Sequence, residues 1–139
     1  MKILIVNGSK SVRKKFISYL ELESQFNKVF ETDTVVEAKM IMQKEIVDVI
    51  LFDIQLPGNS GLELVPFSRN QFPKPALILC TNYILPQYLS IYQKMLIDYC
   101  FDKSKGLAEL KVFIKKLVSD LRNRTQISHN NKSNYRSFQ

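Results

Sequence analysis

Short apolar runs alternate with longer amphipathic segments along this chain of 139 residues, and this alternation restricts the folds that it can adopt. The first run, residues 3–6, is apolar throughout, which is typical of a strand buried on both faces. Further strands are predicted at residues 29–30, 47–54, 76–80 and 98–101. Strands that alternate with helices join through right-handed crossovers, so the pattern predicts a doubly wound α/β fold with a parallel sheet covered on both sides.

Helical periodicity fills the segments between these strands. It predicts five helices, over residues 11–23, 34–45, 62–68, 86–95 and 107–121. The second helix begins with Thr34 and Glu37 at capping-box spacing. The last helix carries an apolar stripe and is expected to end near Arg122. The stripe consists of Leu107, Leu110, Ile114, Leu117 and Leu121.

The length and a hydrophobic fraction of 45% predict one globular domain, which we assign to residues 1–121. No run of about 18 apolar residues occurs, so we expect neither a membrane span nor a membrane partner. The N-terminal apolar stretch is too short for a signal peptide, and two distant cysteines make no disulfide framework. The sequence therefore predicts a cytoplasmic location.

Residues 122–139 differ from the rest of the chain in composition. They contain four bases and no acid, and so contribute more than half of the net charge of +7. Apolar residues are scattered there, so we expect a basic, polar C-terminal tail that is disordered or frayed. A solvated tail is the simpler interpretation, and binding to nucleic acid or to a membrane surface is the alternative.

Polar residues follow four of the predicted strands. Asn7 and Gly8 come after the first strand, Asp53 lies near the end of the third, Thr81 follows the fourth and Lys103 lies just past the fifth. The carboxyl ends of parallel strands meet at one edge of a sheet, and the ligand sites of such folds lie there. The sequence therefore predicts that a carboxylate, a hydroxyl and an ammonium group converge at that edge.

Asp53 interrupts an apolar strand end, and two interpretations of it stay open. A buried carboxylate is unfavourable unless it is paired, so Lys103 and Asp53 are expected to form at least a buried ion pair. In the functional interpretation Asp53 is a nucleophile toward a phosphoryl group. Thr81 then donates a hydrogen bond to a phosphoryl oxygen, and Lys103 holds the phosphoryl group by its charge.

The segment from residue 49 to residue 64, VILFDIQLPGNSGLEL, contains Asp53 and a turn-rich loop. It resembles the phosphoacceptor strand and loop of the receiver domain of two-component response regulators, and the positions of Thr81 and Lys103 also fit that family. The resemblance covers about residues 2–121 and implies a flavodoxin-like (βα)5 fold with a five-stranded parallel sheet. It implies that a histidine kinase or phosphotransfer protein phosphorylates Asp53. Such a chain is a signalling protein rather than an enzyme, with at most weak autophosphatase activity.

The chain departs from the family pattern at its metal site, which makes it an atypical receiver. Receivers usually place two acids directly after the first strand, where this sequence has Asn7 and Gly8. The Mg²⁺ ligands that the resemblance implies are Asp53, the backbone carbonyl of Gln55 and, weakly, the amide oxygen of Asn7. Because Mg²⁺ prefers charged oxygen ligands, we expect weak Mg²⁺ binding. Cys100 also occupies the position where the family often has a Tyr or Phe that changes its rotamer on activation.

Tyrosines gather around the predicted fourth helix and fifth strand. They are Tyr83, Tyr88, Tyr92 and Tyr99. In receivers this face commonly meets partners, and exposed tyrosines suit an interface, whereas ordinary burial preferences place at least half of them in the core. Cys80 and Cys100 fall on neighbouring predicted strands, where a redox pair is the alternative to two small core side chains.

Three other interpretations compete with that of a phosphorylated receiver. The first is a pseudo-receiver, a binding module whose Asp53 is not phosphorylated, and it is motivated by the missing acid pair. The second is a flavodoxin-like FMN-binding protein, with residues 6–11 as a phosphate loop. The third is a dehalogenase-type phosphatase. It needs an aspartate as general acid at the position of Gln55, and a glutamine cannot act as one, so the sequence disfavours it. We expect a stand-alone receiver with a downstream protein partner and no DNA-binding domain, and homodimer formation stays open.

Overall fold

The computed structural model describes residues 1–82 and 85–130, with the backbone alone for residue 105 and for residues 121–130. Five strands form one sheet in the order β2-β1-β3-β4-β5, and all neighbouring pairs are parallel. They are β1 (Lys2–Val6), β2 (Lys28–Thr32), β3 (Val49–Phe52), β4 (Ala76–Thr81) and β5 (Tyr99–Asp102). This strand order is that of flavodoxin-like folds, so the predicted fold class is confirmed.

Five α-helices are found in the described part of the chain. They are α1 (Lys10–Leu20), α2 (Val35–Lys44), α3 (Leu64–Arg69), α4 (Pro86–Lys94) and α5 (Ala108–Asn130). The predicted start of the third helix at residue 62 falls within a 3₁₀ turn, Gly61–Glu63, that precedes α3. No helix among the described residues is long and apolar enough to cross a membrane.

The strands in the middle of the sheet are buried, whereas β2 at its edge is partly exposed. Every residue of β3 is buried, and so are the last four residues of β1. Strand β2 has β1 as its sheet neighbour and shows only one fully buried residue, Thr32. This edge position explains why its apolar signal in the sequence covers only two residues of the five-residue strand.

Helices α1 and α2 both begin with a side-chain cap, and that of α2 differs in one respect from the predicted capping box. Ser9 Oγ accepts a hydrogen bond from the backbone N–H of Val12 at 3.3 Å, and Thr34 Oγ1 accepts one from the N–H of Glu37 at 3.2 Å. A complete capping box would return the Glu37 carboxylate to Thr34. Instead it accepts a hydrogen bond from the hydroxyl of Thr32 at 2.8 Å, which ties the start of α2 to the end of β2.

Two aspartates at the amino ends of strands each accept a backbone hydrogen bond from the neighbouring strand. Asp48 directly precedes β3, and its Oδ2 accepts a hydrogen bond from the backbone N–H of Lys2 in β1 at 2.6 Å. Asp98 directly precedes β5, and its Oδ2 accepts one from the N–H of Leu77 in β4 at 2.8 Å. Each carboxylate thus satisfies a backbone donor at the amino edge of the sheet.

The chain divides into two compact units, Met1–Lys103, which holds the sheet, and Ser104–Gln139, which holds α5. Helix α5 runs on to Asn130, beyond its predicted end near residue 122, since no Gly or Pro interrupts this stretch. Its buried side chains lie on one stripe, at Leu110, Ile114, Leu117 and Val118. Residues 131–139 of the predicted tail lie outside the described residues, and the domain boundary at residue 121 stays a prediction.

Candidate functional site

Asp53 lies where the strand order of the sheet reverses. Strands β1 and β3 are neighbours there, and the carboxyl ends of such strands form the ligand-binding crevice of this fold class. The backbone N–H of Asp53 donates to the carbonyl of Val6 at 3.0 Å, which continues the β1–β3 ladder by one residue. Only 7% of the Asp53 surface is exposed, so its carboxylate needs a partner.

Lys103 supplies that partner. Its Nζ donates to Asp53 Oδ2 at 2.5 Å, and the exposed side-chain fractions are 15% for Lys103 and 10% for Asp53. Charges removed from water to this extent are held only by a close opposite charge. The structure therefore brings together two of the residues singled out from the sequence, which lie 50 residues apart in the chain.

The loop after Asp53 is folded back tightly enough to require glycine at one position. The N–H of Gly61 donates to the carbonyl of Ile54 at 2.7 Å, and Gln55 bridges to Ser60 across the loop. A Cβ on Gly61 would lie 1.7 Å from the carbonyl oxygen of Asp53, so no other residue fits without moving the backbone. This loop fixes both the Asp53 backbone and the carbonyl of Gln55.

Asn7 is buried and already hydrogen-bonded within its own loop. Only 2% of its surface is exposed, and its Oδ1 accepts the backbone N–H of Ser9 at 2.9 Å. Gly8 faces the loop after Asp53: a Cβ there would lie 3.4 Å from the Pro57 ring and 4.0 Å from the carbonyl oxygen of Gln55. The position is therefore open to a side chain that this sequence does not provide.

The residues at this edge fit Mg²⁺ poorly. Of the expected ligands only Asp53 carries a negative charge, and one of its oxygens is bound to Lys103. The Asn7 oxygen is shared with a backbone donor, and Gln55 offers a neutral carbonyl. No group of three or more His, Cys, Asp or Glu side chains suited to a metal ion occurs among the described residues. Mg²⁺ is best bound by several charged or carbonyl oxygens, so weak Mg²⁺ binding stays the prediction.

Thr81 lies at the same edge as Asp53, at the end of β4. Because Phe52 pairs with Leu79, one further step along the register sets Asp53 opposite Cys80 and Thr81 just beyond. Thr81 itself pairs with Asp102, the residue before Lys103. The hydroxyl and the ammonium group therefore come from the ends of adjacent strands, as the strand pattern predicts, and the roles of both side chains stay predictions.

Two charged residues near the site were not singled out from the sequence. Arg13, in the second turn of α1, donates from Nη1 to the carbonyl of Asn7 at 2.6 Å and from Nε to Glu31 at 2.9 Å. Asp102 contributes to the negative field that acts on Cys80. The sequence shows Arg13 only as a basic residue shortly after the first loop. Its contacts could not be predicted, because one of them is with Glu31 of β2 and depends on where that strand lies.

The two cysteines have poorly ionised thiols. Burial is the main cause that raises the pKa of Cys80, and Asp53 and Asp102 add to it while the charge of Lys103 opposes it. Burial also raises the pKa of Cys100 to about 11. Since the thiolate is the reactive form, both values favour the interpretation of small core side chains over a redox pair.

The predicted interaction tyrosines differ in exposure. Tyr92 is 8% exposed and belongs to the hydrophobic core cluster, whereas Tyr88 is 43% exposed. Their ring centroids lie 6.4 Å apart. Tyr99 is partly buried, and Tyr83 lies outside the described residues. Burial thus favours the core interpretation for Tyr92 and leaves Tyr88 as the tyrosine best placed to meet a partner.

The sequence is similar to proteins with receiver domains. The family model of the response regulator receiver domain matches residues 3–115. The sensory transduction protein LytT of Bacillus anthracis is 26% identical over 131 residues, which are 91% of this chain and 52% of that protein. This chain therefore spans about half the length of the curated LytT relatives that it matches.

Solved structures with this fold include several receivers. The receiver domain of the TMAO respiratory system response regulator TorR has a TM-score of 0.74 and 29% identity, covering 86% of this chain and 97% of that one. The response regulator protein TrrA of Thermotoga maritima, solved in complex with Mg²⁺-BeF, has a TM-score of 0.71 and 28% identity, covering 84% and 97%. By sequence and by fold, this chain belongs to the response regulator receiver domains of two-component signalling.

Proposed function

We propose that this chain is a phosphoacceptor that takes a phosphoryl group on Asp53 from a histidine kinase or a phosphotransfer protein and signals through protein–protein contacts. The observation that carries the proposal is the nearly buried ion pair at the carboxyl edge, with Lys103 Nζ 2.5 Å from Asp53 Oδ2. A receiver needs a lysine close to its phosphoacceptor aspartate, and the closeness of this pair supports the proposal.

The transfer that we propose forms one bond and breaks one. Lys103 binds Asp53 Oδ2, so we assign the attack on phosphorus to Oδ1. A P–O bond to Asp53 forms while the P–N bond to the donor histidine breaks, and the histidine nitrogen keeps the electron pair and takes up a proton. Lys103 and the hydroxyl of Thr81 would then donate hydrogen bonds to the oxygens of the acyl phosphate.

A second candidate is the pseudo-receiver, which binds partners without phosphorylation. It is favoured by one observation: the metal-ligand side of the site has only Asn7 and Gly8, and the Asn7 oxygen already accepts a backbone hydrogen bond. In this case the Asp53–Lys103 pair would act only as a structural ion pair. Stand-alone operation and the absence of a DNA-binding domain stay predictions under both candidates, as do the cytoplasmic location and homodimer formation.

The experiment that tests the proposal is intact-mass spectrometry after incubation with acetyl phosphate and Mg²⁺. We expect one phosphoryl group on the wild-type chain and none on Asp53→Asn, which keeps the side-chain shape but removes the nucleophile. Hydroxylamine should remove the group, because it cleaves acyl phosphates and spares phosphoserine. A wild-type chain that stays unmodified with Mg²⁺ and with Mn²⁺ would establish the pseudo-receiver instead.

A further inference from the structure

The loops at the amino edge of the sheet, opposite Asp53, expose large apolar side chains. Each of the four loops that lead from a helix into a strand carries one: Leu22 is 83% exposed, Ile46 60%, Phe72 97% and Leu96 67%. Exposed apolar side chains scattered singly are ordinary, but here one recurs on each of the four loops of the same edge.

Three of these apolar residues stand two positions from a lysine. Lys44 ends α2 two residues before Ile46, Phe72 and Lys74 lie in the loop before β4, and Lys94 ends α4 two residues before Leu96. These six residues are called the basic-apolar edge. Strands β3, β4 and β5 are neighbours in the sheet, so the three pairs lie on neighbouring connections at the same edge.

Three acids beside the connections that lead into β3 and β5 already have partners. The carboxylates of Asp48 and Asp98 accept backbone hydrogen bonds from neighbouring strands, and Glu45 pairs with Lys2 at 3.0 Å. Within residues 1–82 and 85–120, Lys44, Lys74 and Lys94 are exposed and take part in none of the salt bridges. The basic-apolar edge therefore presents unpaired positive charge beside its apolar side chains.

The backbone at Leu96 gives a second sign that this surface is maintained for contact. Leu96 follows α4 with a φ of 64°, a left-handed conformation that favours glycine at the end of a helix. The N–H of Ile97 reaches back to the carbonyl of Tyr92 at 3.1 Å, as in the usual glycine-ended helix. A leucine held there with two thirds of its surface exposed is unfavourable for folding alone.

We propose that the basic-apolar edge docks reversibly on an anionic lipid membrane surface. Ile46, Phe72 and Leu96 enter the boundary between headgroups and acyl chains, and the adjacent lysines reach the anionic headgroups. We choose a planar occupant because the three apolar side chains come from connections at one edge of the sheet. An acidic peptide would need a continuous groove, but the cavity here, about 210 Å³, lies between Ile46 and Phe72 and is not lined by Leu96.

A second copy of the chain fits the edge less well, because its lysines would face lysines of the same sign. Surface docking needs no spanning helix, so it differs from the expectation of no membrane partner, which rested on the absence of a span. It leaves Asp53 at the opposite edge, facing away from the lipid. The proposal therefore holds whether or not Asp53 is phosphorylated.

The test uses the absence of tryptophan from the chain. Phe72→Trp places a single fluorophore at the centre of the edge, and Val36→Trp places one on an exposed site at the start of α2, away from the edge. With mixed phosphatidylcholine–phosphatidylglycerol vesicles, the emission of Phe72→Trp should shift to shorter wavelength and be quenched by brominated acyl chains. The emission of Val36→Trp should change little, and pure phosphatidylcholine should have a much smaller effect on either variant.

Sedimentation with the same vesicles measures the role of the lysines in the full chain. Lys44→Gln, Lys74→Gln and Lys94→Gln together should lower the affinity for the vesicles about 100-fold, because the loss of each lysine should lower it about fivefold. The matched control replaces Lys10, Lys14 and Lys15 of α1 by Gln, since these lysines are exposed as well. Failure to bind anionic vesicles would overturn the proposal. So would equal losses in the two triple variants, or a Phe72→Trp shift that follows protein concentration without lipid.

Discussion

The two edges of the sheet use their aspartates in different ways. At the amino edge, Asp48 and Asp98 each accept a backbone hydrogen bond from a neighbouring strand, at 2.6 and 2.8 Å. At the carboxyl edge, Asp53 instead meets the ammonium group of Lys103 at 2.5 Å. A carboxylate bound to the backbone helps to hold the fold, whereas under our proposal the one paired with a side-chain ammonium group exchanges that partner for a phosphoryl group. Both the partner of the aspartate and its burial therefore distinguish the carboxyl edge from the amino edge, since Asp53 is buried and Asp48 and Asp98 are only partly buried.

The largest expected effect comes from the glycine that closes the carboxyl edge. Gly61→Ala places a Cβ 1.7 Å from the carbonyl oxygen of Asp53, and should lower the free energy of unfolding by about 3 kcal/mol. Gly58→Ala is the control, since open space surrounds it and only its φ of 82° opposes alanine, at about 1 kcal/mol. Urea unfolding measures both. Equal losses would mean that the approach of Gly61 to Asp53 is not the constraint.

The ion pair should give the next largest effect. Lys103→Met keeps the length of the side chain but leaves the Asp53 carboxylate without its cation, so we expect a loss of about 2 kcal/mol at neutral pH. Much of that loss should return in Lys103→Met with Asp53→Asn, in which no charge is left unpaired. Unfolding of the two single variants and the double variant gives the coupling energy. A coupling energy near zero would mean that the Asp53–Lys103 ion pair does not stabilise this edge.

Magnesium affinity should respond to restored carboxylates. Asn7→Asp with Gly8→Asp adds two charges beside the carbonyl of Gln55, and a Cβ at Gly8 meets only ordinary contacts. We expect affinity for Mg²⁺ to rise at least about tenfold, equivalent to about 1.4 kcal/mol. Calorimetric titration measures it, with Asn7→Asp and Gly8→Asn as the control of equal size and lower charge. Sub-millimolar affinity in the wild-type chain would contradict the weak site.

The smallest effect tests the amino edge. Leu96→Gly relieves the left-handed backbone after α4 and should raise the free energy of unfolding by about 1 kcal/mol. The same change removes an apolar side chain from the basic-apolar edge, so vesicle binding should weaken while the chain becomes more stable. Thermal unfolding and vesicle sedimentation of one sample report both. Unchanged binding in the stabilised variant would show that Leu96 is not part of the contact.

The sequence predicted the parts of this comparison that depend on strand order. Once five apolar runs are assigned to a parallel sheet, the residues after them must share one edge, so Asp53 and Lys103 could be paired from topology alone. The weak signal of β2 and the 3₁₀ start of α3 were harder to place. An edge strand buries little, and a short 3₁₀ turn looks like the first turn of an α-helix.

Other features depend on where a side chain is directed, and periodicity does not report that. The Asn7 oxygen turns to Ser9, and Arg13 reaches back to the carbonyl of Asn7. Tyr92 and Tyr88 are one helical turn apart, yet one is in the core and the other exposed. Asp48 and Asp98 read as polar interruptions beside strands, and only the register reveals the backbone donors that they satisfy.

Asp53 is the residue that we propose accepts the phosphoryl group. After incubation with acetyl phosphate, borohydride reduction converts a phosphorylated aspartate to homoserine, and peptide sequencing by mass spectrometry then locates the modified position. The account predicts homoserine at position 53 in the wild-type chain and also in the triple variant of Lys44, Lys74 and Lys94. Unmodified Asp53, or homoserine at another aspartate such as Asp102, would contradict it.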